Sequence, residues 1–264
     1  MSSELGTIRM AGRVYLALLM LFLLGPAVLV TVDSFNAASS FPSPFEGLTL
    51  RWYAALGQHS EFLWAAWTSM KLALSAASAA SVAGFLASAA LARGRLRGRT
   101  VIGAAMMAPL LIPELILGLA ILQVAGLARL PLGLPVLIAA HTVFVLPLTI
   151  RLALAGFSRL DGSLEEAARS LGSSQAQVIW HVMLPLLRPN LLAGFVIAAV
   201  LSFVNLPLSM FLTTAQTATL PVIAFAYMES RIDPMIAAVA TLVMAGAALI
   251  AVSTSRLLRV RLME

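Results

Sequence analysis

The chain contains no cysteine. Disulfides, zinc–thiolate centres and cysteine nucleophiles are thereby excluded. Charge is nearly as scarce. Only 11% of the 264 residues are Asp, Glu, Lys or Arg, where soluble domains carry about 25%. Lysine occurs once, at Lys71. No glycine-rich loop ending in Gly-Lys-Ser/Thr exists, so the chain cannot cradle and hydrolyse ATP by that chemistry. The three histidines, His59, His141 and His181, are scattered, with no His-Glu-x-x-His pattern. A metal site is not expected.

What the sequence has in quantity is apolar side chains: 61% of residues, with a mean hydropathy of +0.98. A soluble domain of this length could not cover its surface with so few polar groups. Disorder is excluded by the same numbers. A membrane-spanning helix needs about 20 mostly apolar residues. Six such stretches are predicted, near 13–33, 64–92, 101–126, 134–157, 190–213 and 235–258. The second begins amphipathically, so its first turns are read as interfacial. The first lacks a small-residue cleavage pattern and is read as a retained helix.

The basic residues set an orientation. With the N-terminus inside, 13 arginines fall on one side: Arg9, Arg13, Arg93, Arg95, Arg97, Arg99, Arg151, Arg159, Arg169, Arg188, Arg256, Arg259 and Arg261. Four basic residues fall on the other: Arg51, Lys71, Arg129 and Arg231. The expectation is an all-α polytopic membrane protein of six transmembrane helices in one domain over 1–264, with both termini cytoplasmic. The run from Arg93 to Arg99 reads as a topology anchor that meets anionic lipid. Nucleic acid is not expected as a partner, because no aromatic platform accompanies the charge. On the outer side, Trp52, Tyr53 and Trp64 read as an interfacial belt. Residues 214–234, flanked by Pro221 and Pro234, read as a second outer loop.

The connection 158–189, between spans four and five, is the most informative segment. Its pattern predicts a cytoplasmic pair of short helices with a glycine corner. Ser163 and Glu166 have capping-box spacing. Leu164, Ala167, Ala168 and Leu171 share one face. Gly172 sits where a left-handed residue would end the first helix. Ser173 or Ser174 can cap the second helix, whose apolar face is Val178, Ile179, Val182 and Met183. Pro185 should stop or kink it. Two readings of such a pair stand open: a helix lying on the bilayer surface, or an apolar face offered to a groove on a soluble partner.

Two positions within the spans attract notice. Glu114 is the acid in the middle of span three, after Pro109 and Pro113. A buried ionisable group costs several kcal/mol unless paired or neutral, and broken helices are where transporters build sites. Glu114 therefore reads either as a pathway residue or as a group paired or capping near the kink. His141 in span four reads as a helix–helix hydrogen bonder or a solute contact. Asn205 lies mid-span, and Phe203, Ser202 and Ser209 are candidate cavity liners. The small-residue run from Ser75 to Ala90 suits close helix packing.

The segment 158–189 resembles the EAA motif of permease subunits of bacterial binding-protein-dependent ABC importers. Glu166-Ala167-Ala168, Gly172, Val182 and Leu184-Pro185 fall on its spacing, with valine in place of isoleucine. Ser34-Phe35-Asn36, the stretch from Gly47 to Tyr53, Thr219 to Val222, Ile232 to Pro234, Ala237 to Leu242 and the Pro113-Glu114 pair are similar to the polyamine-type branch. That branch commonly has an acid after Ser-Phe, where this chain has Val204-Asn205.

The resemblance implies a subunit that is not itself an enzyme and binds no cofactor, with ATP and Mg on a dimeric partner ATPase. It implies contact of Glu166, Ala167, Ala168, Gly172, Leu184 and Pro185 with that ATPase. A second permease subunit is implied, a different chain in this branch, with a homodimer left open. A periplasmic substrate-binding protein would deliver a small solute, a polyamine or a related amine or amino-acid-like compound, past Glu114, His141, Phe203 and Asn205. The rivals are a stand-alone secondary transporter or a channel. Neither would use the cytoplasmic helix pair, and neither the inverted repeat nor the additional intramembrane acids of the former are evident.

Overall fold

The computed structural model describes residues 2–40, 44–94, 96–231 and 233–260, with side chains throughout except at 2–9, 11 and 257–260. Arg95, Ile232 and Arg261 of the sequence reading lie outside the described residues, as do the side chains of Arg9 and Arg259. The helices in order are α1 (Ser2–Asp33), α2 (Arg51–Gln58), α3 (Ser60–Arg93), α4 (Arg99–Met107), α5 (Glu114–Leu127), α6 (Leu134–Phe157), α7 (Gly162–Ser170), α8 (Gln175–Val178), α9 (Leu184–Val204), α10 (Ser209–Leu212), α11 (Leu220–Ser230) and α12 (Met235–Val260). A 3₁₀ turn spans Ala108–Leu111 and a π-helical turn Ile179–Met183. Among the described residues no sheet forms; Asn36 and Leu48 make an isolated bridge.

Five helical stretches are long and apolar enough to cross a membrane: Gly12–Asp33, Ser60–Arg93, Leu134–Phe157, Gln175–Val204 and Met235–Arg256. The remaining expected span, the third at 101–126, is a broken pair, Arg99–Leu111 and Glu114–Leu127, bent by 104°. The two prolines explain the break. Pro109 and Pro113 supply no N–H to the helical ladder, and Pro113 holds Ile112 in an extended conformation (ψ 126°).

The fifth span differs from its expected 190–213 at both ends. Its helix ends at Val204, because Pro207 disfavours helical geometry at Leu206 and Asn205 is itself extended (ψ 112°). At the other end the chain does not stop at Pro185. It stays helical from Gln175 to Val204 through the π turn, whose wider register absorbs the N–H that Pro185 lacks. The expected loop 214–234 contains α11, with Pro221 at its second position, where no N–H is required.

The chain divides into two compact units, one of Met1–Ser60 with Ala224–Ala248 and the other of Glu61–Ile223 with Leu249–Glu264. In the first, the loop after α1 is organised by Asn36. Its Oδ1 accepts from the N–H groups of Ala38 (3.1 Å) and Glu46 (2.9 Å), and its Nδ2 donates to the Pro44 carbonyl. Trp52 Nε1 donates to the Asn36 carbonyl (2.8 Å), and the Ser34 and Tyr53 hydroxyls meet at 2.7 Å. Trp52 and Tyr53 thus fasten this loop, whereas Trp64 in the second unit stays exposed.

The second unit packs α3, α5, α6, α9 and α10 around Leu72, Ala77, Ala80, Leu117, Leu137, Ala140, Phe144, Val145, Ala198, Leu208 and Leu212. Lipid tails are as apolar as these side chains, so close packing and interhelical hydrogen bonds carry the association. The α3–α6 seam has both. Thr149 Oγ1 donates to the Ala80 carbonyl (2.8 Å) and Ser88 Oγ to the Ile150 carbonyl (3.1 Å). At Gly84 a Cβ would overlap Thr149 Oγ1 and come within 3.2 Å of the Ile150 backbone nitrogen. Gly84→Ala should therefore lower the thermal midpoint of the detergent-solubilised protein, at a cost of about 1–3 kcal/mol. Gly246→Ala, at a position open to within 4 Å, should leave that midpoint unchanged in the same scan.

Candidate functional site

Two groups of residues in the second unit are candidates for functional chemistry. The first is the segment after α6. Asp161, not Ser163, caps α7. Its carboxylate accepts the Ser163 N–H at 3.0 Å, and this bond, with a smaller contribution from the Ser163 side chain, holds the Asp161 carboxyl below its ordinary range. The expected Ser163–Glu166 capping box does not form, because the aspartate one residue before Gly162 already takes the free donor. Gly172 has φ +87°, the left-handed corner expected of it. Ser174 and Gln177 then make the capping box of α8, with Gln177 Oε1 accepting the Ser174 N–H (2.7 Å) and Ser174 Oγ accepting the Gln177 N–H.

The apolar residues of this segment divide into two sets. Phe157, Val178, Met183 and Leu187 form a buried cluster, with Phe85, Ala89, Leu160, Ala168, Ile179 and Val182 against it. The expected face of the second helix is thus used within the chain. The first helix turns most of its expected face outward. Leu171 is 88% exposed and Leu164 47%, and beyond the corner Trp180 is 66% exposed. Glu166 and Ala167 are exposed beside them, whereas Leu184 and Pro185 are half-buried. The structure therefore gathers Glu166, Ala167, Leu171 and Gly172 at one exposed corner. Ala168 belongs to the packing beneath it, and Leu184 and Pro185 open α9, half-buried.

The second group lies where the helices break. Glu114 is the first residue of α5, where the unpaired N–H groups of a helix start favour a carboxylate. Asn205, one residue past α9, donates from Nδ2 to Glu114 Oε2 at 2.7 Å. Its Oδ1 accepts the Leu208 N–H (2.9 Å), and its carbonyl accepts the Ser209 hydroxyl (2.8 Å). Gly118 faces this turn closely: a Cβ there would lie 3.3 Å from Phe211 Cδ2 and 3.4 Å from the Leu208 Cα and carbonyl oxygen. His141, fully buried, contacts Ser202 Oγ from Nδ1 (2.8 Å) and Ser209 Oγ from Nε2 (3.1 Å).

Donor accounting fixes the ring. The single Ser209 proton goes to the Asn205 carbonyl, so Ser209 Oγ accepts from His141 Nε2–H; in the neutral ring, Nδ1 then accepts from the Ser202 hydroxyl. Three of the four expected pathway residues thus join one network with Ser202 and Ser209. Phe203 is half-buried and has no part in these bonds.

Sequence reasoning did not identify Glu165. Its carboxylate accepts from Arg93 Nε at 2.6 Å. The arginine's place in a basic run concealed this role, and Glu165 stood one residue ahead of the motif. Among the described residues, no three His, Asp or Glu side chains gather as a metal site would require.

Residues 79–263 match the family described as binding-protein-dependent transport system inner membrane component. The spermidine/putrescine transport system permease protein PotC of Escherichia coli (strain K12) is 28% identical over 219 residues, 83% of each chain. The putrescine transport system permease protein PotI of the same organism is 29% identical over 256 residues, 94% of this chain and 91% of that one. Among solved structures, a bacterial ABC transporter involved in the import of the acidic polysaccharide alginate has the same fold, with a TM-score of 0.67 at 18% identity over 94% of both chains. The MetNI methionine ABC transporter in inward-facing conformations gives 0.63 at 18% identity, over 77% of this chain and 97% of that one. The chain, with its apolar helices and its motif at residues 166–185, belongs to the inner membrane components of binding-protein-dependent transport systems, the multi-pass permease subunits of ABC importers.

Proposed function

We propose that the whole chain, 1–264, serves as one permease domain and forms half of the import pathway for a polyamine or a closely related amine. A second permease subunit, a different chain, supplies the other half. A periplasmic binding protein delivers the solute. A dimeric ATPase holding ATP and Mg docks on residues 158–189, which places both termini in the cytoplasm. The arginine asymmetry supports that orientation. The solute assignment is supported by the names of the PotC and PotI relatives and by a carboxylate, Glu114, at a broken helix within the membrane span.

The observation that carries the docking assignment is the exposed corner. Leu164, Leu171 and Trp180 are apolar, exposed and held in place by a buried cluster behind them. An apolar helix face so presented suits a groove on a soluble partner. Glu166 and Ala167 share that corner and would touch the ATPase. Gly172 would act by setting the corner's angle, and Leu184 and Pro185 by carrying the segment into α9.

Leu171→Asp tests this directly, because the side chain lies on the surface and its loss should cost the fold little. Co-purification from the membrane should recover the ATPase with the wild-type chain and lose it with the variant. Retention of the ATPase by a well-folded variant would overturn docking at this corner. Solute uptake by the purified chain alone, driven by a gradient in liposomes, would overturn the importer assignment itself.

For the pathway, Glu114→Gln removes the charge and keeps the shape. In proteoliposomes holding the full transporter it should raise the KM for putrescine by about tenfold, the scale of one lost charge-assisted contact. ATPase assembly should be unchanged.

A further inference from the structure

Arg93 ends α3, at the head of the basic run that reads as a topology anchor. Its guanidinium makes three separate attachments. Nε donates to Glu165 Oε1 at 2.6 Å, Nη2 donates to the Leu160 carbonyl at 3.3 Å, and the group sits 5.9 Å above the Phe157 ring centre. Phe157 ends α6, Leu160 lies in the connector, and Glu165 belongs to the first turns of α7. One side chain thus joins the end of α3, the end of α6 and the start of the exposed corner. Glu165 is the better covered partner, with 12% of its side chain exposed against 33% for Arg93.

Positive charge alone would satisfy the membrane-orientation rule and would need no defined partner. Three attachments by one planar fork are a different arrangement. Lysine, a point charge on a flexible stem, cannot reproduce them. Besides Arg93, the corner is held through α8 and the π turn, whose apolar side enters the buried cluster. On α7 itself, Ala168 is the side chain packed against that cluster. Without Glu165, α7 would lose its tie to α3 and keep only Ala168 and its packing on α8 and the π turn.

We propose that Arg93 is a positioning residue for coupling. By holding α7 through Glu165, it makes the first docking helix move together with α3, so that displacement imposed by the ATPase reaches a second span besides the α8–α9 run. The inference rests on the docking of residues 158–189 proposed above.

The absence of native cysteine allows a clean test. Cysteines introduced as Ala90→Cys on α3 and Arg169→Cys on α7, both exposed positions, would carry spin labels in the assembled transporter. In the otherwise wild-type background, the distance distribution should be narrow and the same with and without ATP. In Arg93→Lys, which keeps the charge, and in Glu165→Gln, it should broaden or shift. Stimulation of the ATPase by the loaded binding protein should drop at least about threefold while the basal rate holds. The double variant should be no worse than the worse single one.

Distributions as narrow as the parent's with full stimulation would overturn the proposal. So would a parallel fall of basal and stimulated rates, the mark of general destabilisation, or losses that add in the double variant. Leu171→Asp separates the two readings. If it keeps the ATPase, docking fails and this inference with it. If it loses the ATPase while the pair variants keep parental distances, the Arg93 role alone fails.

Discussion

Within hydrocarbon, every backbone N–H and C=O must find its partner inside the protein. A membrane helix can therefore break only where something else supplies those partners. This chain breaks at Ile112–Pro113 and again at Asn205–Pro207, and the two breaks answer each other. Asn205 caps the Leu208 N–H with its side chain, gives its carbonyl to Ser209, and binds Glu114 at the other break. His141 closes the set from α6. Without Asn205 the second break would leave unpaired groups in a medium that cannot solvate them. The place where a carboxylate is tolerated is thus the place where the backbone already needed polar company.

The exposed corner obeys the opposite rule. Outside the bilayer, backbone groups can bond to water, and the question is which apolar side chains stay uncovered. Val178 and Met183 are buried against Phe157 and Leu187, and Ala168 reaches the same cluster. Leu164, Leu171 and Trp180 are left outside. Small, rigid caps hold that division: Asp161 at the start of α7, Gly172 at the turn, and Ser174 with Gln177 at the start of α8. Each is a local, low-energy device. Together they present a fixed shape from a segment that has little core of its own.

Most of the fold was legible, because a run of about 20 apolar residues has few alternatives. The fourth span was read to the residue as Leu134–Phe157. Gly172 and Ser174 were legible because their roles follow from local chemistry. The end of the fifth span was not, since Asn205-Leu206-Pro207 lies inside an apolar stretch that hydropathy alone extends to 213. At Pro185 the sequence left a stop or a kink open, and it is the stop that does not occur: the helix runs on through a π turn that the sequence does not announce. Glu114, His141 and Asn205 stood out one by one as polar residues in apolar surroundings. That they are neighbours depends on two helix breaks, which only tertiary structure brings together. The Arg93–Glu165 pair, 72 positions apart, is of the same kind.

The uninterrupted helix from Gln175 to Val204 has a mechanical meaning. Its 30 residues make a rod about 45 Å long at 1.5 Å per residue. One end stands at the exposed corner and the other adjoins Asn205. Swung as one piece about its midpoint, the rod moves its far end by a like amount in the opposite direction to its near end; the π turn, Pro185 and Pro189 are the places where it can bend. A tilt of about 5° about the midpoint carries each end about 2 Å, enough to stretch a hydrogen bond beyond its range. A contact of 2.7 Å between Asn205 and Glu114 sits at the tip of a long lever, where a small rotation is enough to make or break it.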